Sequence, residues 1–320
     1  PEGAPLSERL RAEYGDSVDP EISLSPPDEG GVIDKGSSAL MGKLTTQGGS
    51  ERYLAKQEIA RGGMGAILKV WDEDLRRPLA MKVVLKEDGG TSGAATDSRS
   101  QKRLSRFLEE AQITSQLDHP GIVPVHDLGI DAEGRVFFTM QLVDGRDVRE
   151  IVSLAEKGEE GWDQRRVVGV LIRVCEALAY AHYKGVVHRD IKPGNVMVGK
   201  FGEVFLMDWG LAKVMDRAED VDPPVSSVMD TLRTEAASVE QTLAGDVVGT
   251  PAFMSPEQAL GRAEDVGPAS DLYAVGAMLY YMLAGQLPYQ PLGEAAGPLS
   301  ILEAVKNGPP WSIHALRPEA

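Results

Sequence analysis

The chain has 320 residues, 42% of them hydrophobic, a net charge of −16 and one cysteine, Cys175. That length holds a domain of two lobes and some tail; the acidic surplus excludes the Lys/Arg-rich footprint of a nucleic-acid binder, and the lone cysteine excludes an internal disulfide framework and suits a reducing cytoplasm. No apolar run reaches the ~18 residues of a membrane span, and the opening, which lacks Met, has no basic start followed by an apolar stretch, so no signal peptide is expected.

Residues 1–50 are rich in Gly, Pro, Ser and acids, with four Lys/Arg against nine Asp/Glu, and are expected to be a flexible acidic tail. From Tyr53 the pattern predicts strands over residues 53–59, 66–72 and 79–85, separated by Gly or charged turns. A polar Gly/Ser/Thr stretch follows over residues 87–100. A helix is predicted from about Arg103 to Leu117, where Leu104, Phe107, Leu108, Ala111 and Leu117 recur at helical spacing.

Strands are predicted again over residues 123–128 and 136–142. After Asp144-Gly145 the reading turns helical, most clearly over 166–183, where Val170, Leu171, Val174, Leu178 and Ala181 form one apolar face. Short buried strands are expected at Val186-Val187 and around Val196 and Val198. Residues 213–248 carry three Lys/Arg against eight Asp/Glu and show no period, whereas 271–284 reads as a buried apolar helix. A mostly β part over 51–143 and a mostly α part over 144–320, joined near residues 141–145, predict an α+β protein of two lobes.

Chemistry concentrates in His188-Arg189-Asp190-Ile191-Lys192-Pro193-Gly194-Asn195 and Asp208-Trp209-Gly210. Two carboxylates, an ammonium and an amide in closely spaced segments are the groups that steer a hydroxyl nucleophile and hold Mg²⁺ on a nucleoside triphosphate. Gly62-Gly63-Met64-Gly65 lies between two predicted strands. It reads either as a loop whose amides cover phosphates or as a plain Gly-rich hairpin turn. Cys175 reads as a small core residue, and the histidines lack metal-ligand spacing.

These segments, with Gly249-Thr250-Pro251-Ala252-Phe253-Met254-Ser255-Pro256-Glu257-Gln258, resemble bacterial eukaryotic-like (Hanks-type) serine/threonine protein kinases over about residues 53–311. The resemblance implies a two-lobed fold with a small antiparallel β lobe carrying one key helix and a mainly helical second lobe. It implies transfer of the ATP γ-phosphoryl group to protein Ser/Thr hydroxyls, with ATP and Mg²⁺ (Mn²⁺ as a substitute). Asp190 would orient the substrate hydroxyl, Lys192 would neutralise the transferring group, and Asn195 and Asp208 would hold the metal. Lys82 would meet the α- and β-phosphates, held by Glu110, while Glu109, about 100° round the helix, faces solvent.

The same resemblance assigns Gly62, Gly63 and Gly65 to the phosphates, with Ala60 where the pattern has its first Gly. Ile67, Ala80, the gatekeeper Met140 and the hinge from Gln141 to Val143 would surround adenine. Trp209 replaces the usual Phe. His188 is expected to be a structural hydrogen-bonding residue, Thr250 to bond near Asp190 and Lys192, and Asp271 to brace the catalytic loop from below. Arg189 implies a phosphate-ordered activation segment over 208–257, with autophosphorylation candidates Thr234 and Thr242 ahead of Thr231, Ser226, Ser227 and Ser238; the alternative is an inert disordered insertion.

The implied partners are protein substrates and a second copy of the chain for trans-autophosphorylation, with no nucleic acid and no membrane segment. The competing readings are a catalytically impaired scaffold on the same fold and small-molecule phosphotransfer. The first is opposed by the presence of Lys82, Asp190, Asn195 and Asp208, the second by the peptide-docking segment around Thr250. The chain stops at Ala320, ahead of the family's last helices and of the arginine that pairs with Glu257. The second lobe is therefore expected to be incomplete, and a fully desolvated, unpaired Glu257 would cost about 3–5 kcal/mol.

Overall fold

The computed structural model describes residues 42–44, 52–62, 65–85, 94–215, 250–290 and 296–316. Much of the expected tail and all six candidate phosphorylation sites (Ser226, Ser227, Thr231, Thr234, Ser238 and Thr242) lie outside the described residues, as does Gly63. The chain divides into two compact units, Pro1–Gln116 with Val123–Val143, and Leu117–Ile122 with Asp144–Ala320.

The first unit is built on an antiparallel sheet of six strands, in the order β1-β2-β3-β4-β6-β5. The strands are β1 (Gly42–Leu44), β2 (Tyr53–Gly62), β3 (Gly65–Asp72), β4 (Arg77–Val84), β5 (Val125–Ile130) and β6 (Val136–Gln141). Alternation drives the pairing: Ala66, Leu68 and Val70 on β3, and Leu79, Met81 and Val83 on β4, are buried with Tyr53, Ala55 and Phe137 in one cluster. Asp72 is buried at the end of β3 and held by both nitrogens of a forked contact from Arg52, at 3.0 and 2.9 Å. That satisfies a carboxylate which would otherwise be costly to desolvate.

Helix α1 (Ala94–Gln116) begins well before the predicted Arg103. The amphipathic stretch from 103 supplies the costly helix nucleus, and each further residue then adds a hydrogen bond at little cost. The Ala94-Ala95 pair, with the highest helix propensity, extends the helix upstream. Downstream, Phe107 is buried and its ring sits 5.0 Å from that of Phe138 on β6.

In the second unit, α2 (Val148–Lys157) and α3 (Gln164–Tyr183) are N-capped by Asp147 and Asp163, whose carboxylates accept from Glu150 N at 3.0 Å and Arg166 N at 2.8 Å. Val167, Val170, Leu171, Val174, Leu178 and Ala181 put the apolar face of α3 in the core. A three-stranded sheet pairs β7 (Gly145–Asp147) with β9 (Val196–Gly199) and β9 with β10 (Val204–Leu206). A two-stranded one pairs β8 (Val186–Val187) with β11 (Lys213–Val214). The helices α4 (Pro256–Ala259), α5 (Pro268–Ala284), α6 (Pro298–Asn307) and α7 (Ile313–Leu316) complete the unit.

Residues 117–122, a connector within the predicted β part, pack with the second unit. Ile122 bridges Leu206 in parallel, and Leu206 N donates to Gly121 O at 2.8 Å. No helix among the described residues is long and apolar enough to cross a membrane.

Candidate active site

In the first unit, Lys82 lies mid-strand on β4, facing Ile67 on β3 and Phe138 on β6 across the ladder. Its Nζ reaches both carboxylate oxygens of Glu110, at 2.6 and 2.7 Å. Glu110 is buried and Glu109 exposed, because Phe107, Glu110, Ala111 and Thr114 share the inward face of α1. Two charges taken out of water are tolerated here because each neutralises the other at contact distance.

Gly62 pairs with Gly65 across the turn between β2 and β3. A Cβ on Gly65 would lie 2.1 Å from the Val83 carbonyl oxygen, so close approach of β4 demands glycine there whatever the loop covers. A Cβ on Gly62 would meet nothing within 4 Å, so the phosphate-loop and hairpin readings both stand. Ala80 is buried and pairs with the buried Met140, and Gln141 pairs with Leu79 and donates its N–H to the Pro124 carbonyl at 3.1 Å. Val143 follows, half-buried.

In the second unit, Pro193–Asn195 forms a single tight turn between the catalytic-loop candidate and β9. The β9–β10 register continues past Val196↔Leu206, with Met207 N donating to Asn195 O at 2.8 Å. Asn195 and Asp208 thereby flank the open end of one hairpin. Asn195 Nδ2 donates to the Asp190 backbone oxygen at 2.8 Å and to its Oδ2 at 2.9 Å, and Lys192 Nζ lies 2.9 Å from the same Oδ2. Lys192 and Asn195 therefore converge on the Asp190 carboxylate. Thr250 opens the turn Thr250–Phe253, and its expected side-chain bond lies outside the described side chains.

His188 is fully buried; its Nδ1 accepts from Asp190 N–H at 3.2 Å and its Nε2 donates to the Met207 carbonyl at 3.0 Å. The Trp209 ring packs 4.6 Å from it, buried, with Nε1 3.4 Å from the Leu206 carbonyl. The loop and the Asp208 segment are thus joined through one imidazole. Arg189 and Asp208 both adopt left-handed backbone, φ 71° and 60°. This is a sparsely populated region for residues with a Cβ and persists where surrounding contacts over-determine it.

Asp271 on α5 supplies such contacts. Its Oδ1 accepts from Arg189 N, and its Oδ2 from His188 N and His182 Nε2, all at 2.8 Å. Burial pushes its carboxyl up, but these bonds and the neighbouring His188 outweigh that and hold it below the ordinary aspartate range. A carboxyl lowered on folding contributes stability that is present above its unfolded value, about 3.9, and lost as pH falls through the lower folded value. Asp271→Asn should lower stability at neutral pH by about 1.5–3 kcal/mol. It should also flatten the loss of stability below about pH 4, as measured by urea unfolding of both proteins across that range. An unchanged acid slope would remove Asp271 from the linkage.

Glu257 is half-buried and accepts a hydrogen bond from the Ser270 hydroxyl, which itself accepts from Gly267 N at 3.2 Å. Burial pushes the Glu257 carboxyl up, yet hydrogen bonding from Ser270, its own backbone and Ser255 leaves it below the usual carboxylate range. The condition for the cost of about 3–5 kcal/mol, a fully desolvated and unpaired carboxylate, is therefore not met. Burial also pushes the Cys175 thiol, on α3, up, which disfavours its reactive thiolate. Sequence reasoning did not identify His182, Ser270 or Gln258 as parts of this scaffold. Only Gln258 carried a signal: Ser255-Pro256-Glu257-Gln258 has the Ser-x-x-Gln form of a capping box with Pro at the first helical position.

A sequence model of the protein kinase domain matches residues 53–305. The chain belongs to the protein kinase family, and its antiparallel first unit and mainly helical second unit are the two lobes of that α+β fold. It is similar to the serine/threonine-protein kinases PknD of Protochlamydia amoebophila, 36% identical over 250 residues, and of Chlamydia pneumoniae, 32% over 247 residues. These alignments cover 75% of this chain and 24% and 25% of the relatives. The PknD of Chlamydia muridarum, 32% identical over 249 residues, matches to the same extent. The chain spans about a quarter of the length of the curated relatives it matches.

The family uses ATP and a divalent cation. The residues present fit the cation. Asn195 engages Asp190 through its amide nitrogen, so its amide oxygen, like the exposed Asp208 carboxylate, is an oxygen donor. Oxygen donors suit a hard cation. Among the described residues no group of three or more His, Cys, Asp or Glu side chains could hold a metal.

Proposed function

We infer that this chain is the catalytic domain of a serine/threonine protein kinase, acting on protein Ser/Thr hydroxyls with MgATP. The observation that carries the reading is the convergence of Lys192 Nζ and Asn195 Nδ2 on the Asp190 carboxylate, within 2.9 Å, on a loop braced by Asp271. Asp190 orients the hydroxyl and accepts its proton as oxygen attacks the γ-phosphorus; the bond to the β-phosphate bridging oxygen breaks and ADP leaves. Lys192 offsets charge on the transferring group, and Lys82, held by Glu110, meets the α- and β-phosphates. Gly62, Gly63 and Gly65 present backbone to the phosphates, and Ile67, Ala80, Met140, Gln141 and Val143 form the adenine wall and hinge. Asn195 and Asp208 would hold Mg²⁺, or Mn²⁺ in its place, and the ion would supply charge neutralisation of the phosphates.

Protein substrates, a transient homodimer for trans-autophosphorylation and a cytoplasmic location belong to the same reading, with Thr250 helping to dock the peptide. Within the 208–257 segment, Thr234 and Thr242 are the favoured acceptors, followed by Thr231, Ser226, Ser227 and Ser238. The test is phosphate incorporation from MgATP into the chain and into a Ser/Thr-containing protein, with peptide mapping. Phosphoserine or phosphothreonine is expected. Folded, nucleotide-binding protein that transfers no phosphate would overturn the reading in favour of a binding scaffold.

A further inference from the structure

The residue before Asp190 is gripped on both sides of its backbone. Arg189 N donates to Asp271 Oδ1 at 2.8 Å, and Arg189 O accepts from Gln258 Nε2 at 2.7 Å. Between these bonds Arg189 holds its left-handed φ of 71°. Gln258 is also engaged at its other end: its Oε1 accepts from Ser255 N and from Ser255 Oγ, each at 3.1 Å, and Ser255 Oγ faces the Gln258 N–H at 3.5 Å. A single side-chain amide therefore closes the capping box of α4 with its oxygen and ties the catalytic loop with its nitrogen.

We propose that Gln258 is a positioning residue that couples the segment bearing Ser255-Pro256-Glu257 to Asp190, by fixing the strained peptide immediately before it; this rests on the kinase reading above. Three observations carry the assignment. The bond is short and joins residues 69 apart in sequence. Its acceptor is the carbonyl of a non-glycine residue at positive φ, where an unrestrained peptide relaxes. The opposite face of the same residue is already held by Asp271, so Gln258 completes a two-sided clamp.

The chemistry of the position separates this role from capping. Glutamate closes a Ser-x-x-Glu capping box as well as glutamine does, and its charge suits a helix N-terminus. It cannot donate to a carbonyl, so at Arg189 O it places oxygen against oxygen. Gln258→Glu thus retains the cap and removes the clamp, and Gln258→Ala removes both.

The decisive experiment pairs steady-state kinetics with hydrogen exchange on the whole chain. Gln258→Glu is expected to keep the wild-type melting temperature and KM for ATP while kcat falls about tenfold, the loss of one bond made in the aligned loop. Amides of residues 188–195 should exchange faster in this variant, and those of α4 should not. Wild-type kcat with unchanged loop exchange would overturn the proposal and leave Gln258 as a cap only. A rate loss that follows a fall in melting temperature, with exchange raised throughout the second unit, would overturn it equally. If the wild type transfers no phosphate, the kinase reading fails by itself, and the exchange contrast between loop and α4 still decides the clamp.

Discussion

Asp190→Asn is expected to lower phosphoryl transfer about 10²–10⁴-fold while leaving the fold intact. The substituted side chain keeps the size of the original and an oxygen for the Asn195 amide, so the loop retains its shape. Two things are lost: the basic oxygen proposed to accept the hydroxyl proton, and the negative charge 2.9 Å from Lys192 Nζ. Initial rates at saturating MgATP, with the melting temperature of each protein, check this directly. Nucleotide affinity should change little, because Lys82 and residues 141–143, the groups proposed to meet the nucleotide, lie in the other unit. A variant rate close to wild type would take Asp190 out of the chemistry.

Lys82→Met should abolish transfer and also destabilise the first unit by about 3–5 kcal/mol. Glu110 is 5% exposed and Lys82 13%, so removing the ammonium leaves a carboxylate in a dry setting with its principal counter-charge gone. The discriminating protein is Lys82→Met/Glu110→Leu. Replacing both partners with apolar groups removes the uncompensated charge, so the denaturant midpoint should recover most of the loss while transfer stays absent. Equal midpoints for the single and double variants would mean that the carboxylate finds water, contrary to its burial.

The strands were legible because period-two burial is written in residues such as Leu68, Val70, Met81 and Val83, and α3 because its apolar face repeats at 3.6 residues. The upstream extension of α1 was not, since polar residues there carry no face and helix growth from a downstream nucleus leaves no pattern. Asp190, Asn195 and Asp208 stood out as a local motif. His182, Ser270 and Gln258 did not, because what they do depends on which distant atoms they meet. The Gln258 amide reaches Arg189, and the Ser270 hydroxyl reaches a carboxylate for which the resemblance implied an arginine. Spacing reports neighbours along a helix or strand; it is silent on a donor aimed at a carbonyl 69 residues away.

The excursion at Leu117–Ile122 bears on the order in which a ribosome can deliver this molecule. The first unit cannot close its sheet when α1 emerges, because β5 and β6 come only after the six residues that belong elsewhere. Those six residues in turn wait for Leu206 before Ile122 and Gly121 find their partners. Some eighty residues of nascent chain thus separate the moment the connector is made from the moment it is secured, the kind of long-range closure that slows folding and prolongs exposure of unpaired apolar surface. Arresting synthesis with residue 141, and then residue 215, just clear of the ribosome, then probing each stalled chain with protease, would show whether the connector stays cleavable until the later point.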